Sequence, residues 1–332
     1  MTLASIIVPA FNVEDTIAQT LQSLISQTRH NFEIIVVDDG STDASASIAA
    51  TYLVDPRVRV IRQTNRGLAG ARNSGIAASR GSFIGFCDAD DLWEPEKLAR
   101  HVAHLEANPQ VGVSYSGSAF INDDGVLTGQ AQRPRLHDIE AMHVFRRNPI
   151  GNGSAAVIRR AVFNAIAFRP EHETQRDWYF DETFRQSEDI ECWMRIVLST
   201  DWEFEGLEGL LTQYRISAGG LSAATDRQLA AWERMVDKLR PLAPDFFEKQ
   251  APIARAYQLR YLSRRAVSGS DAAQARALTN AWLKTSLVPL RDETLKSIVT
   301  LGAVAVLSLL GPQVLQQALS LVARIARKEA LQ

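Results

Sequence analysis

The chain has 332 residues, 46% of them hydrophobic, and a formal net charge of −2. At that size roughly 75% of the unfolded surface can be buried, which leaves one large domain or two smaller ones open. The balanced charge gives no basic field of the kind that points to nucleic acid, and two cysteines, Cys87 and Cys192, read as reduced buried thiols rather than a disulfide framework.

The first 120 residues alternate in type. "SIIVPA" is a short β-branched run and predicts a strand. "EDTIAQTLQSLISQT" follows with Ile17, Leu21, Leu24 and Ile25 at helical spacing. "FEIIVVDD", "VRVIRQ", "SFIGFCD" and "GVSYSGSAFI" predict four more strands. Between them lie the helical stretches "ASASIAATYL", after a turn at Gly40, the Gly/Ala-rich "GLAGARNSGIAASR", and "PEKLARHVAHLEANP", opened by Pro95. Strands that read as continuous apolar runs separated by helices predict a parallel sheet covered on both faces.

The middle, 121–224, is less regular. It holds a turn at "NDDG", a basic loop near Arg133 to Arg135, and the acidic helix "SEDIECWMRIVL". From 225 to 332 the pattern is helical, with breaks at "RPLAP", "SGSD" and "GP". The expected division is therefore an α/β domain over 1–224 and a helical region over 225–332. The N-terminus lacks a basic start and has only a short apolar run, so it does not read as a signal peptide, and a cytoplasmic chain is expected. "SIVTLGAVAVLSLLG" falls short of the ~18–20 apolar residues of a membrane span. "VLQQALSLVARIARK" carries an apolar stripe with Arg324, Arg327 and Lys328 near its end. Such a helix can lie in an anionic interface at the inner membrane face; packing on the rest of the chain or on a second subunit is the other reading.

In open parallel sheets, ligands bind outside the carboxyl ends of the strands. Two acidic groups fall there: Asp38 and Asp39 end the second strand, and Asp88, Asp90 and Asp91 follow the fourth. Carboxylates this close repel one another, so a cation is expected among them. An Asp-x-Asp pair after a strand suits Mg²⁺ or Mn²⁺, which takes one or two protein carboxylates and leaves positions for water and substrate phosphates. The plainer reading is a solvated acidic turn capping the helix after Pro95, and it stays open for Asp91 in particular. Asp39 can accept a hydrogen bond from a base or ribose, or can simply belong to a tight turn. Neither GxxxxGK[ST] nor GxGxxG is present, so phosphate chemistry would have to rely on the metal.

"SIIVPAFNVEDTIAQTLQSLISQT", "FEIIVVDDGSTD", "NRGLAGARNSGIAASRGSFIGFCDADD" and "SEDIECWMR" occur in one order. Together, over about residues 3–222, they resemble the family 2 glycosyltransferases, and most nearly bacterial exopolysaccharide or lipopolysaccharide enzymes of the succinoglycan type. The resemblance implies a GT-A fold, a Rossmann-like and mostly parallel sheet flanked by helices. It also implies inverting transfer of a sugar from a nucleotide-sugar donor, usually UDP-linked, to a glycan or lipid-linked glycan acceptor, with Mn²⁺ or Mg²⁺ as cofactor. Pro9, Ala10, Phe11 and Glu14 match the segment that lines the nucleotide pocket. Asp39 matches the residue that bonds the base. In Asp88-Ala89-Asp90, Asp88 matches the carboxylate near ribose and donor sugar, and Asp90 the metal ligand. Asp189 matches the general base. Tyr214 and Arg215 match the start of a loop that closes over the donor; Ser217 stands where relatives often have a His that would reach the diphosphate or metal.

Trp193 lies four residues after Asp189 on the same helix face and reads either as an apolar wall for a sugar or as core. Arg195 reads as the partner of a nearby carboxylate, and the histidines show no ligand spacing. Two other functions compete. A sugar nucleotidyltransferase would show a Gly-rich basic loop near the N-terminus, which "VPAFNVEDT" is not. A non-catalytic sugar-nucleotide or glycan-binding module would have lost Asp90 or Asp189, and both are present.

Overall fold

The computed structural model describes residues 2–216 and 225–329. The expectations for Ser217, and for the side chains of the basic stripe from Ala318 onward, lie outside the described residues. The chain divides into two compact units, Met1–Gly220 and Leu221–Gln332.

The first unit is built on one nine-stranded sheet. Its strands are β1 (Ala4–Ala10), β2 (Phe32–Asp38), β3 (Val58–Arg62), β4 (Phe83–Phe86), β5 (Leu92–Trp93), β6 (Val111–Ile121), β7 (Leu127–Gln132), β8 (Ala156–Arg159) and β9 (Glu203–Arg215). The helices of the unit are α1 (Ile17–Ile25), α2 (Ser45–Thr51), α3 (Gly67–Ala78), α4 (Lys97–Ala107), α5 (Ala141–Arg147), α6 (Arg160–Ile166) and α7 (Glu188–Ser199). The strand order is β3-β2-β1-β4-β8-β6-β9-β5, with β7 paired to β6. β3, β2, β1 and β4 pair in parallel, and so do β6 and β9. β8 is antiparallel to both β4 and β6, so those two point the same way. The five strands expected from apolar runs are all present, and the sheet is mixed because a strand from later in the chain is inserted between them.

The centre of the parallel half is buried on both faces. Every residue of β1 and β2 is buried, as expected for a sheet covered from both sides. Ile17, Leu21 and Leu24 of α1 and Leu98, Val102 and Leu105 of α4 share one core cluster with Ile6, Val8, Ile34 and Val36. This places the carboxyl ends of β1, β2 and β4 along one edge. Both cysteines are free and buried.

The second unit contains α8 (Thr225–Leu239), α9 (Pro244–Ser268), α10 (Ala272–Thr285), α11 (Val288–Asp292) and α12 (Thr294–Glu329). Leu259, Leu262, Leu278, Trp282, Val304 and Leu307 pack into its core. α12 is broken at Gly311, whose φ of 81° is left-handed, just ahead of Pro312. Its outward face is apolar too: Leu295, Ile298, Val299, Leu309 and Leu310 are exposed. The apolar run does not stop at Gly311. Thr294–Gln317 is long and apolar enough, by length and composition only, to cross a membrane.

Candidate active site

β4 ends at Phe86 and the chain turns at once. The amide of Asp91 donates to the carbonyl of Asp88 at 2.9 Å, closing the turn. β5 then pairs with β9, so the acidic turn is held by the sheet on both sides. Its backbone is also pinned. Thr16 and Thr20 Oγ1 each donate to the Ala89 carbonyl at 2.9 Å, and Arg215 Nε donates to the Asp90 carbonyl at 2.8 Å. Ser154 Oγ accepts from the Asp88 amide at 2.9 Å and donates to Asp91 Oδ2 at 2.6 Å. The amide of Arg215 donates to Asp91 Oδ1 at 2.9 Å. Asp91 is therefore a buried strut, not a solvated cap for α4. Burial, then the charges of Asp90 and Asp88, push its carboxyl well above the usual range. Tyr214 and Arg215 are the end of β9 rather than the start of a loop.

Part of the missing cation is an arginine from α3. Arg72 is 2% exposed. Its Nη2 lies 3.0 Å from Asp88 Oδ1 and its Nη1 lies 2.8 Å from Glu188 Oε1. One guanidinium thus joins the turn after β4 to the first residue of α7. Asp189 is the next residue, and it lies within the field of the same Arg72 and of Asp88. Burial raises the Asp189 carboxyl, Arg72 opposes this, and Asp88 adds to the rise. The same burial raises Glu188, with Arg72 again opposing. For both groups the direction is upward because burial outweighs the pull of the single guanidinium. Gly153 makes the close approach possible, since a Cβ there would overlap Arg72 Nη2. Next along α3, Asn73 ties the helix to the segment before α7: its amide donates to the Phe180 carbonyl and accepts from the Tyr179 and Phe180 amides.

Asp90 is the carboxylate left over. Among the described residues no side chain is hydrogen-bonded to it. Burial and the Asp88 charge push it up to about 6, partly offset by Arg215. Among the described residues no three His, Cys, Asp or Glu side chains form a ready ligand set. A half-buried carboxylate with no side-chain partner among the described residues, beside a second carboxylate, still fits a hard divalent ion that draws its other oxygens from water and a diphosphate.

The nucleotide side was expected at Pro9 to Glu14 and at Asp39. Pro9 and Ala10 close β1 beside Val37 and Asp38 of β2. Phe11 is 48% exposed, with its ring at the strand end. Glu14 Oε2 accepts from the Ala44 amide at 2.8 Å, at the start of α2. Asp39 is buried and largely engaged: Oδ1 accepts from Gln63 Nε2 at 2.6 Å and the Arg66 amide at 2.9 Å, and Oδ2 from the Gly67 amide at 2.8 Å. It therefore fixes the N-terminus of α3 and keeps one acceptor position on Oδ2.

Residues 5–167 match the family description "Glycosyl transferase family 2". The chain is 33% identical over 230 residues to the Escherichia coli UDP-Glc:alpha-D-GlcNAc-diphosphoundecaprenol beta-1,3-glucosyltransferase WfaP, covering 69% of this chain and 83% of that one. The chain belongs to the family 2 glycosyltransferases. Its fold is GT-A, like that of S. aureus TarS 1-349 in complex with UDP-GlcNAc, at a TM-score of 0.59 and 20% identity over 90% of this chain and 89% of that one. The mannosyltransferase PcManGT from Pyrobaculum calidifontis, in complex with GDP-Man and Mn2+, aligns at a TM-score of 0.55 and 21% identity over 92% and 86% of the two chains. At these identities the structures speak for the fold of the transferase and not for its substrates.

Trp193 is not a wall for a sugar. It is 1% exposed and stacks edge-on against Phe180, 5.9 Å between centroids. Arg195 pairs with Glu191 at 2.9 Å, as its spacing suggests. Arg72 was missed. Its signal was a charged residue inside a helix of Gly and Ala, where a solvent-facing arginine would be unremarkable.

Proposed function

We propose that the transferase moves a sugar from a UDP-sugar to a hydroxyl of a glycan or lipid-linked glycan acceptor, with inversion, during cell-surface polysaccharide synthesis. The observation that carries this is the Arg72 bridge between Asp88 and the start of α7. It supports one site in which Asp88 and Asp90 face the donor while Asp189 faces the acceptor. The E. coli relative is described as using UDP-Glc and a diphosphoundecaprenol-linked acceptor, which favours a UDP donor and a lipid-linked acceptor here.

The acceptor hydroxyl is a poor nucleophile at neutral pH. Asp189 removes its proton as the new bond forms, and a raised pKa makes it a stronger base, typically worth ~10²- to 10⁴-fold in rate. The acceptor oxygen bonds to the anomeric carbon as the bond from that carbon to the diphosphate oxygen breaks from the opposite face. The nucleoside diphosphate leaves with the electron pair, and an α-linked donor gives a β product. Asp90 would hold Mn²⁺ or Mg²⁺, which when bound supplies charge neutralisation for the leaving diphosphate. Arg72 holds Asp88 fixed toward the donor sugar through their ion pair. Phe11 lines the base, beside Pro9, Ala10, Glu14 and Asp39. Residues 1–224 form the catalytic domain and 225–332 a helical region that contacts the cytoplasmic membrane face through the apolar side of α12.

The test is UDP release from UDP-sugars with Mn²⁺ present. The full chain should release UDP, and Asp90→Ala should abolish release while leaving thermal unfolding near wild type. Metal-dependent release unchanged in that variant would remove Asp90 from the mechanism. A full chain that binds UDP-sugar but never releases UDP with any acceptor would favour a non-catalytic binding module.

A further inference from the structure

We propose that Arg185 binds the donor nucleotide and reads its base; this rests on the donor reading above. The segment before α7 uses up its carboxylates. Glu182 takes Arg66 at 2.8 Å and Arg176 at 2.5 Å, and Arg66 also pairs with Glu173. Asp181 Oδ1 accepts from the Thr183 amide at 2.9 Å and hydroxyl at 2.6 Å. Arg185 is left over. It is exposed, and among the described residues it has neither an ion pair nor a hydrogen bond.

Its guanidinium nevertheless has a defined seat. It lies over Gly67, where a Cβ would overlap Nη1 and come within 3.3 Å of Cζ. Gly67 has a φ of 78°, and it is the residue whose amide donates to Asp39 Oδ2. An unpaired arginine therefore stands over the residue that donates to Asp39, the carboxylate proposed above to face the base. Asp39 has three of its roughly four acceptor positions filled. It has room for one N–H and no more.

Uracil presents an N–H between two carbonyl oxygens. The free position on Asp39 accepts the N–H, and Arg185 donates to an adjacent carbonyl. Cytosine presents an acceptor nitrogen in place of that N–H, which opposes the Asp39 carboxylate, and keeps only one of the two flanking carbonyls. Arg185 would thus add to affinity for uridine nucleotides through the base, not through phosphate.

The experiment is calorimetric binding of UDP and UMP to the full chain, comparing wild type, Arg185→Ala and Arg185→Gln. Loss of a hydrogen bond from a charged donor should weaken both nucleotides by about tenfold in the Ala variant, by the same factor. The Gln variant should lose less, because a carboxamide N–H still serves a carbonyl. Unchanged affinity in Arg185→Ala would overturn the proposal, and so would a loss with UDP that is absent with UMP. Failure of the wild type to bind UDP would instead remove the donor reading itself. The side chain is exposed, so both variants should unfold at the wild-type temperature.

Discussion

Asp189 and Glu188 are adjacent, yet substitution separates them. Asp189→Asn keeps the shape of the side chain but takes no proton, so kcat should fall by at least ~10²-fold. Donor affinity should change little, since the donor contacts proposed above lie elsewhere; near-normal transfer by this variant, or retained anomeric configuration by NMR, would reject Asp189 as the base. Glu188 should instead report on stability. Burial raises its carboxyl to about 7 against the pull of Arg72. Between the ordinary carboxylate range and that value, the folded state binds more protons than the unfolded state. Stability must then fall as pH rises through the window, the reverse of the usual salt-bridged acid. The melting temperature of the wild type should decline from pH 5 to pH 7.5, and Glu188→Gln should flatten the decline. An equal slope in the two proteins would place the buried proton elsewhere. Of the site, the carboxylates were legible because strand ends collect ligands and acids are conspicuous there. Arg72, Ser154 and Gly153 were not, because each acts on a residue far away in the chain. A sequence shows that Asp88 and Asp90 need positive charge, but not that α3 delivers some of it.

The elements that stood out in the sequence were those with a local cause. β1, β2 and β4 announce themselves by nearly continuous apolar runs, β3 and β6 by β-branched and aromatic residues spaced along them, and α1 and α4 by their spacing. β7 is "LTGQAQ", nearly all exposed, and has no apolar alternation to read. β9 carries Gly206 and Gly209 and pairs with β6 through several register shifts, which breaks the period of two. β5 is two residues long and exists only because β9 is there to receive it. That short element can be tested through β4. A Cβ on Gly85 would lie 2.5 Å from Trp93 Cη2 and 3.4 Å from Val157 Cγ2. Trp93 is buried and its ring cannot retreat, so Gly85→Ala should destabilise the fold by about 1–3 kcal/mol. The denaturant midpoint should drop accordingly. An unchanged midpoint would mean that the turn between Asp88 and Asp91 yields more easily than its hydrogen bonds suggest.

On the scale of the whole molecule, α12 presents apolar side chains both to its own unit and outward. Leu309 is 81% exposed, and a residue of that kind at full exposure among others like it marks a contact surface. With the proposed membrane role, the full chain should co-sediment with phosphatidylglycerol vesicles, and Leu309→Glu with Leu310→Glu should release it. A chain that ignores such vesicles would leave the outward face for a second subunit. The insertion of β8 between β4 and β6 has a consequence for synthesis. β4 ends at residue 86 and β8 ends at residue 159, so 73 residues must emerge before the edge of β4 is paired. At ~5–20 residues per second this takes roughly 4–15 s on the ribosome. For that interval Phe83, Ile84 and Phe86 form an open apolar edge, the kind that seeds strand-to-strand aggregation. Slowing translation over 87–159 should therefore lower the soluble yield of nascent chains and raise their dependence on chaperones, whereas slowing it over 225–332 should do neither.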